Sequence, residues 1–209
     1  MNTFIEVPAS KKSLANRVLV HGVGINDSTY NTIFNGARCP YYERWRSMLL
    51  RCYSAKNQEK QPTYTNCYVC GEWLTFSNFR KWMTTQDWNG KQLDKDLINP
   101  GNKLYSPDSC VFVPLSLNAL LTDHAAGRGK YPQGVCLKKD SGRFQARCNV
   151  YGKLVHIGYF DTPSEASEAY KKFKSNHIKE VAQQYKSNER LYNGLMSHAK
   201  AIVENAALK

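Results

Sequence analysis

The residues best suited to chemistry in this sequence lie between Gly134 and Phe160. Three short alternating runs, Gly134 to Lys139, Arg143 to Val150 and Lys153 to Phe160, are separated by the turn clusters Asp140-Ser141-Gly142 and Tyr151-Gly152. Strand alternation assigns Val135, Leu137, Phe144, Ala146, Cys148, Val155 and Ile157 to one face. The opposite face then carries Cys136, Lys138, Gln145, Arg147, Asn149 and His156, with Lys139 and Arg143 at its edge. Arg and Lys can reach guanine acceptors, Gln and Asn can pair with adenine, and a two- or three-stranded ribbon fits the major groove of B-form DNA. Any antiparallel sheet has a solvated polar face, so polarity alone decides nothing. The sign of the charge does: no acidic residue falls on that face, and Asp140 is confined to a turn.

Thiols form the second group. Cys67 and Cys70 have the spacing of half a zinc site, and Cys52 and Cys110 are available as the other half of a tetrahedral structural Zn2+ site. The alternative is that these cysteines are small buried hydrophobes, as free cysteines commonly are. Cys136 and Cys148 are expected to have no metal role.

These residues need elements to hold them. Pro40 starts a helix in which Tyr41, Trp45, Met48, Leu49 and Cys52 recur at helical spacing, with Arg44, Arg46 and Arg51 elsewhere on it. After the Cys67-x2-Cys70-Gly71 turn, a second helix places Trp73, Phe76, Phe79 and Met83 on one face. A short strand is expected around Leu93 to Leu97, another run at Cys110 to Val113, and a helix from Ser116 carrying Asn118. Val18 to Val23 is a further strand candidate. In the carboxyl-terminal half, Thr162-Pro163-Ser164-Glu165 is a capping box with proline at the first helical position. Its helix, with Ala166, Ala169, Tyr170, Phe173 and His177 as a stripe, should cover the apolar face of the sheet, which needs such a partner to be stable. A last helix from about Asn188 can pack back or pair with a second copy in a homodimer.

The 209 residues carry a net charge of +12, with 29 Lys and Arg against 17 Asp and Glu. Residues 126–209 hold 15 against 7 and residues 1–125 hold 14 against 10, so the excess (+8 against +4) is greater where the alternating runs lie. This balance favours a polyanionic partner over an acidic small substrate. No segment approaches the roughly 20 apolar residues of a membrane span, and no signal-peptide core is visible at the amino terminus. Seven cysteines at irregular spacing suit a reducing compartment, so a cytoplasmic protein with no membrane partner is expected.

The run Tyr131 to Phe173 resembles an AP2/ERF-type DNA-binding domain. The likeness rests on Gly134-Val135, Gly142-Arg143-Phe144, Ala146-Arg147, Gly158-Tyr159-Phe160-Asp161-Thr162, Glu165-Ala166 and Ala169-Tyr170, and covers about a fifth of the chain. Phe144 stands where that family usually has tryptophan. The resemblance implies double-stranded DNA as partner, read through the sheet by Lys138, Arg143, Gln145, Arg147 and His156. In phage and mobile-element proteins such domains often follow an HNH nuclease, and LDKDLINPGNKLYSPDSCVFVPLSLN resembles the tail of that family's ββα-metal motif. By this likeness Asp94 and Asp96 would supply carboxylates, Asn102 the loop and Asn118 the helix ligand for Mg2+ or another divalent cation. No histidine stands at the usual base position, and Lys95 separates the two carboxylates. The first reading is therefore a metal-dependent homing-like endonuclease targeted by the sheet, and the alternative is a catalytically inactive DNA-binding regulator or phage anti-defence protein that keeps the nuclease scaffold. In a phage-encoded case the compartment would be the cytoplasm of a bacterial host. RNA binding ranks lower, because the outward sheet positions are polar and not aromatic.

The fold expected is α+β. Residues 1–35 form an arm with a short strand, 36–123 an HNH-like ββα unit with helical elements, and 124–130 a linker. Residues 131–186 form a three-stranded antiparallel sheet packed on a helix, and 187–209 a terminal helix.

Overall fold

A computed structural model describes residues 4–122 and 129–204. The order begins with α1 (Lys11–Ala15), a two-residue hairpin of β1 (Ile33–Phe34) and β2 (Ala37–Arg38), then α2 (Pro40–Tyr53) and α3 (Ala55–Lys60). It continues with β3 (Tyr68–Val69), α4 (Phe76–Thr84), β4 (Gln92–Asp94), β5 (Leu104–Tyr105) and β6 (Val111–Val113). The remaining elements are α5 (Leu115–Leu121), β7 (Val135–Leu137), β8 (Phe144–Val150), β9 (Lys153–Phe160), α6 (Pro163–Gln183) and α7 (Glu189–Glu204). The architecture is thus mixed α and β, built on small sheets, of which the three-stranded antiparallel β7-β8-β9 is the largest.

Packing divides the chain into two compact units: residues 1–96 with 101–113, and residues 97–100 with 114–209. Residues 1–35 therefore belong to the first unit, and α5, carrying Asn118, to the second. Residues 124–128 of the expected linker lie outside the described residues.

In the first unit the helical spacing of α2 has the predicted consequence, since Trp45, Met48, Leu49 and Cys52 are buried. They meet Phe76, Phe79 and Met83 of α4 and Trp73, which lies in the single turn before it. A buried indole N–H usually finds an acceptor. Trp45 Nε1 does so, donating to the Trp73 carbonyl at 2.7 Å, whereas Trp73 Nε1 is buried with no partner among the described residues. Around this core run the parallel pair β3 and β5 and the antiparallel pair β4 and β6, the latter in the register Leu93 opposite Phe112 and Asp94 opposite Val111. The expected strand over Val18 to Val23 is not formed. That segment makes only an isolated bridge from Val20 to Gly24, because His21 and Gly22 both adopt positive φ and fold it into a tight loop.

The second unit starts from the capping box. Thr162 Oγ1 accepts from the Glu165 amide, and a Glu165 carboxylate oxygen accepts from the Thr162 amide, both at 3.2 Å. Four orphan donors open every helix, and this reciprocal pair satisfies two of them. From that fixed start α6 lays Ala166 and Tyr170 against Ala146 and Cys148 of the sheet. Farther along, Ser175 Oγ donates to the Ala199 carbonyl of α7 at 2.7 Å. The terminal helix packs back on α6, burying Leu191, Leu195 and Ala199. Among the described residues no helix is long and apolar enough to cross a membrane.

Gly134 fixes how closely sheet and helix approach. Its φ of 77° is in the left-handed region, and a Cβ there would lie 2.1 Å from the Tyr170 ring. Gly134→Ala is expected to destabilise the second unit by about 2 to 4 kcal/mol, the combined order of backbone strain and overpacking. Amide hydrogen exchange checks this: protection across β8 should fall sharply, and wild-type protection would show that Tyr170 yields without cost.

Candidate functional site

The exposed face of β7-β9 is set by one irregularity. Pairing runs Gln145 with Tyr159 and Ala146 with Gly158, then slips so that Arg147 faces His156. Ile157 is the extra residue, a β-bulge that re-aims the side chains after it. Strict alternation would put His156 and Tyr159 on opposite faces, since they are three residues apart. The bulge brings both to the outer face, where their rings lie 4.6 Å apart. Tyr159, 45 % exposed, is thus an aromatic member of the surface that alternation alone assigns to the core. The signal for it in the sequence is Gly158, because glycine inside a strand often marks a bulge.

The predicted contact residues separate into two groups. Gln145 and His156 are bound to each other: the Cys136 thiol donates to Gln145 Oε1 at 3.6 Å, and Gln145 Nε2 donates to His156 Nδ1 at 2.9 Å. His156 Nδ1 is then the acceptor, and in the neutral ring Nε2 carries the proton. Arg143 is turned to the edge, where Nε donates to Asp161 Oδ1 at 3.0 Å and an Nη donates to the Tyr159 carbonyl at 3.2 Å. Asn149 builds a turn, its Oδ1 accepting from the Gly152 amide at 2.8 Å. Gly152 and Tyr151 both have positive φ there, as a tight two-residue hairpin requires. Lys138, Lys139 and Arg147 make no side-chain hydrogen bond or ion pair among the described residues. Arg147 is exposed in the middle of the sheet, which leaves its guanidinium fork available to a ligand.

The carboxylates of the first unit sit at the end of β4. Asp94 Oδ1 accepts from the Asp96 amide at 2.8 Å. Lys95 between them is only 4 % exposed, and its Nζ donates to Asp96 Oδ1 at 2.5 Å and to the Asn102 carbonyl at 2.7 Å. Asn102 closes the loop: Nδ2 donates to the carbonyls of Lys95 and Leu104, and Oδ1 accepts from the Leu104 amide. Its role is therefore to hold the loop around the lysine. Asn118 lies on α5 in the second unit.

The four thiols are not drawn into one ligand set. Burial pushes Cys52 up to about 12, with the neighbouring Cys67 thiol adding to the effect. Burial likewise pushes Cys110 up to about 12, against hydrogen bonds at Ser106 and Ser109. Cys70 is raised more weakly by burial, and its surroundings are Glu72 and the Trp73 backbone, not the other thiols. Among the described residues no three His, Cys, Asp or Glu side chains are gathered so as to hold a metal ion. Comparison with known proteins adds no relative: no family model, curated protein or solved structure matches the chain.

A thiol reacts as thiolate, so groups titrating near 12 are inert at pH 8. Cys52 and Cys110 should resist iodoacetamide at pH 8 in the native protein and react only when urea unfolds it, with EDTA making no difference. Mass spectrometry of the alkylated peptides checks this, and protection that EDTA removes would point to a metal clasp instead of packing.

Proposed function

We propose that this is a DNA-binding protein of the AP2/ERF-like kind, engaging duplex DNA through the exposed face of β7-β9, and that its first unit is an HNH-type scaffold. The observation that carries the reading is Arg147: a central, exposed guanidinium with no side-chain hydrogen bond or ion pair among the described residues, lying between Gly134 of the β7 turn and His156 of β9, with Lys138 farther along the same sheet opposite Arg143. The neighbouring Gln145–His156 pair would fix two further polar groups in place, which lowers the ordering cost of reading base edges. Asp161 sits at the rim with Arg143 and leaves the centre of the face cationic.

A specific contact favours a non-catalytic use of the first unit over the endonuclease reading. Divalent-metal hydrolysis of a phosphodiester needs carboxylates free to bind the cation. Asp96 is matched instead by the Lys95 ammonium, and a second cation placed there would be repelled by a buried first one. The donor set of Asp94 and Asp96 therefore suits Mg2+ poorly.

Two measurements test the proposal. Arg147→Ala should weaken duplex binding roughly three- to tenfold and lower the slope of log K against log salt by about 1, as loss of one phosphate-class contact does. Unchanged affinity and slope would remove the sheet from the interface. Supercoiled plasmid with Mg2+ or Mn2+ should be nicked no faster by the wild type than by Asp94→Ala. Nicking abolished by that substitution would reinstate the endonuclease.

A further inference from the structure

A cavity in the first unit has the makings of an anion site. It measures about 390 Å3 and lies between α2 and the loop over residues 16–26. Two cations line it, Arg17 and Arg46, and none of the described residues lining it is acidic. The two arginines differ in what they already do. Arg17 is fully engaged, its Nη groups donating to the carbonyls of Asn26, Ser28 and Tyr30. Arg46 is half-exposed and has no hydrogen-bond or ion-pair partner among the described residues. One charge is thus structural and the other is free to bind.

Neutral donors surround Arg46. Tyr42 stands one turn earlier on α2 and so shares its face. Its ring is held by Trp45 and Phe76, and burial raises its phenol so that the hydroxyl keeps its proton. Asn26 has its side-chain oxygen taken by Ser28, which leaves the amide NH2 as a donor. His21 is held at φ 52°, in the left-handed region, and its Nε2 is buried without a hydrogen-bond partner among the described residues. Burial and then Arg46 hold this imidazole below its ordinary range.

We propose that this cavity is a phosphate-binding site in which Arg46 supplies the charge and Tyr42 and Asn26 the neutral hydrogen bonds. A planar guanidinium that bonds two oxygens at once, with nearby neutral donors, suits a tetrahedral oxyanion. The phosphate belongs either to a nucleic-acid backbone or to a free phosphate compound. The exposed apolar side chains of Val18 and Leu19 beside the cavity leave room for the remainder of either.

The test titrates the full chain with inorganic phosphate, followed by amide chemical shifts, and in parallel with a short DNA duplex, followed by fluorescence anisotropy. Phosphate should shift the amides of residues 18–22 saturably, and Arg46→Gln should weaken this at least tenfold. Tyr42→Phe keeps the ring packing and removes only the hydroxyl, and should weaken it about threefold. Arg38→Gln removes the same charge from a residue already paired with Glu43 and should change nothing. If Arg46→Gln also weakens duplex binding severalfold and lowers its salt slope by about 1, the phosphate is a DNA backbone group. If duplex binding is unaffected while phosphate binding is lost, it is a free compound. Absence of saturable shifts with phosphate, together with equal duplex affinity for Arg46→Gln and Arg38→Gln, overturns the proposal. The phosphate titration is independent of the sheet: Arg147→Ala should leave it unchanged, so either reading can fail without the other.

Discussion

The bulge at Ile157 is the constraint on which the character of the sheet depends. A strand presents alternate residues to alternate faces, and a single extra residue reverses that assignment for everything beyond it. Before the slip, Phe144 and Phe160 face each other on the helix side. After it, Cys148 faces Val155 on that same side, while Arg147 and His156 are held outside. Without the bulge, the stretch of β9 from Tyr159 onward could satisfy the core only by withdrawing His156. The approach of α6 depends on the same arrangement, because Tyr170 closes on Gly134 and Ala146 from beneath.

The first unit solves a different problem, that of a buried charge. Lys95 has lost almost all contact with water, and such an ammonium is tolerated only where partners replace its hydration. Asp96 and the Asn102 carbonyl do so, and the Tyr105 ring lies 5.9 Å from Nζ. Asn102 in turn ties both ends of the loop to itself, so the polar atoms around the lysine are consumed in holding it. A loop that spends its donors in this way gains order.

Much of the skeleton was legible in the sequence because it rests on local signals. The Thr162–Glu165 box, the Pro40 start of α2 and the glycine turns around β8 each act within four residues, and each appears where expected. The stripe of Trp73, Phe76, Phe79 and Met83 was legible for the same reason. What was not legible depends on partners distant in the chain. The Val18 to Val23 run reads as a strand by composition, yet it has no neighbour to pair with and closes on itself through His21 and Gly22. Arg143 reads as a contact residue by type, and only the fold brings Asp161 to it. Asn149 reads as an adenine-type amide, and the turn at Tyr151-Gly152 claims its oxygen. Tyr159 was lost to strict alternation although Gly158 beside it carried the hint.

Net charge is a poor guide to where an anion will bind, because most of the arginines that create it here are already committed. Arg17 holds three carbonyls, Arg44 donates to the Lys91 carbonyl, and Arg80 pairs with Glu6 over the rings of Tyr30 and Tyr41. Each such contact lowers what the cation can offer an incoming phosphate, since binding would have to break or share it. Arg46 and Arg147 are different in kind, with charge that no hydrogen bond or ion pair among the described residues answers. A guanidinium in that state keeps its bidentate geometry and gives up only its own water on binding. The chemistry of each unit is therefore better read from its uncommitted cations than from its total, and among the described residues Arg46 and Arg147 are arginines of that kind.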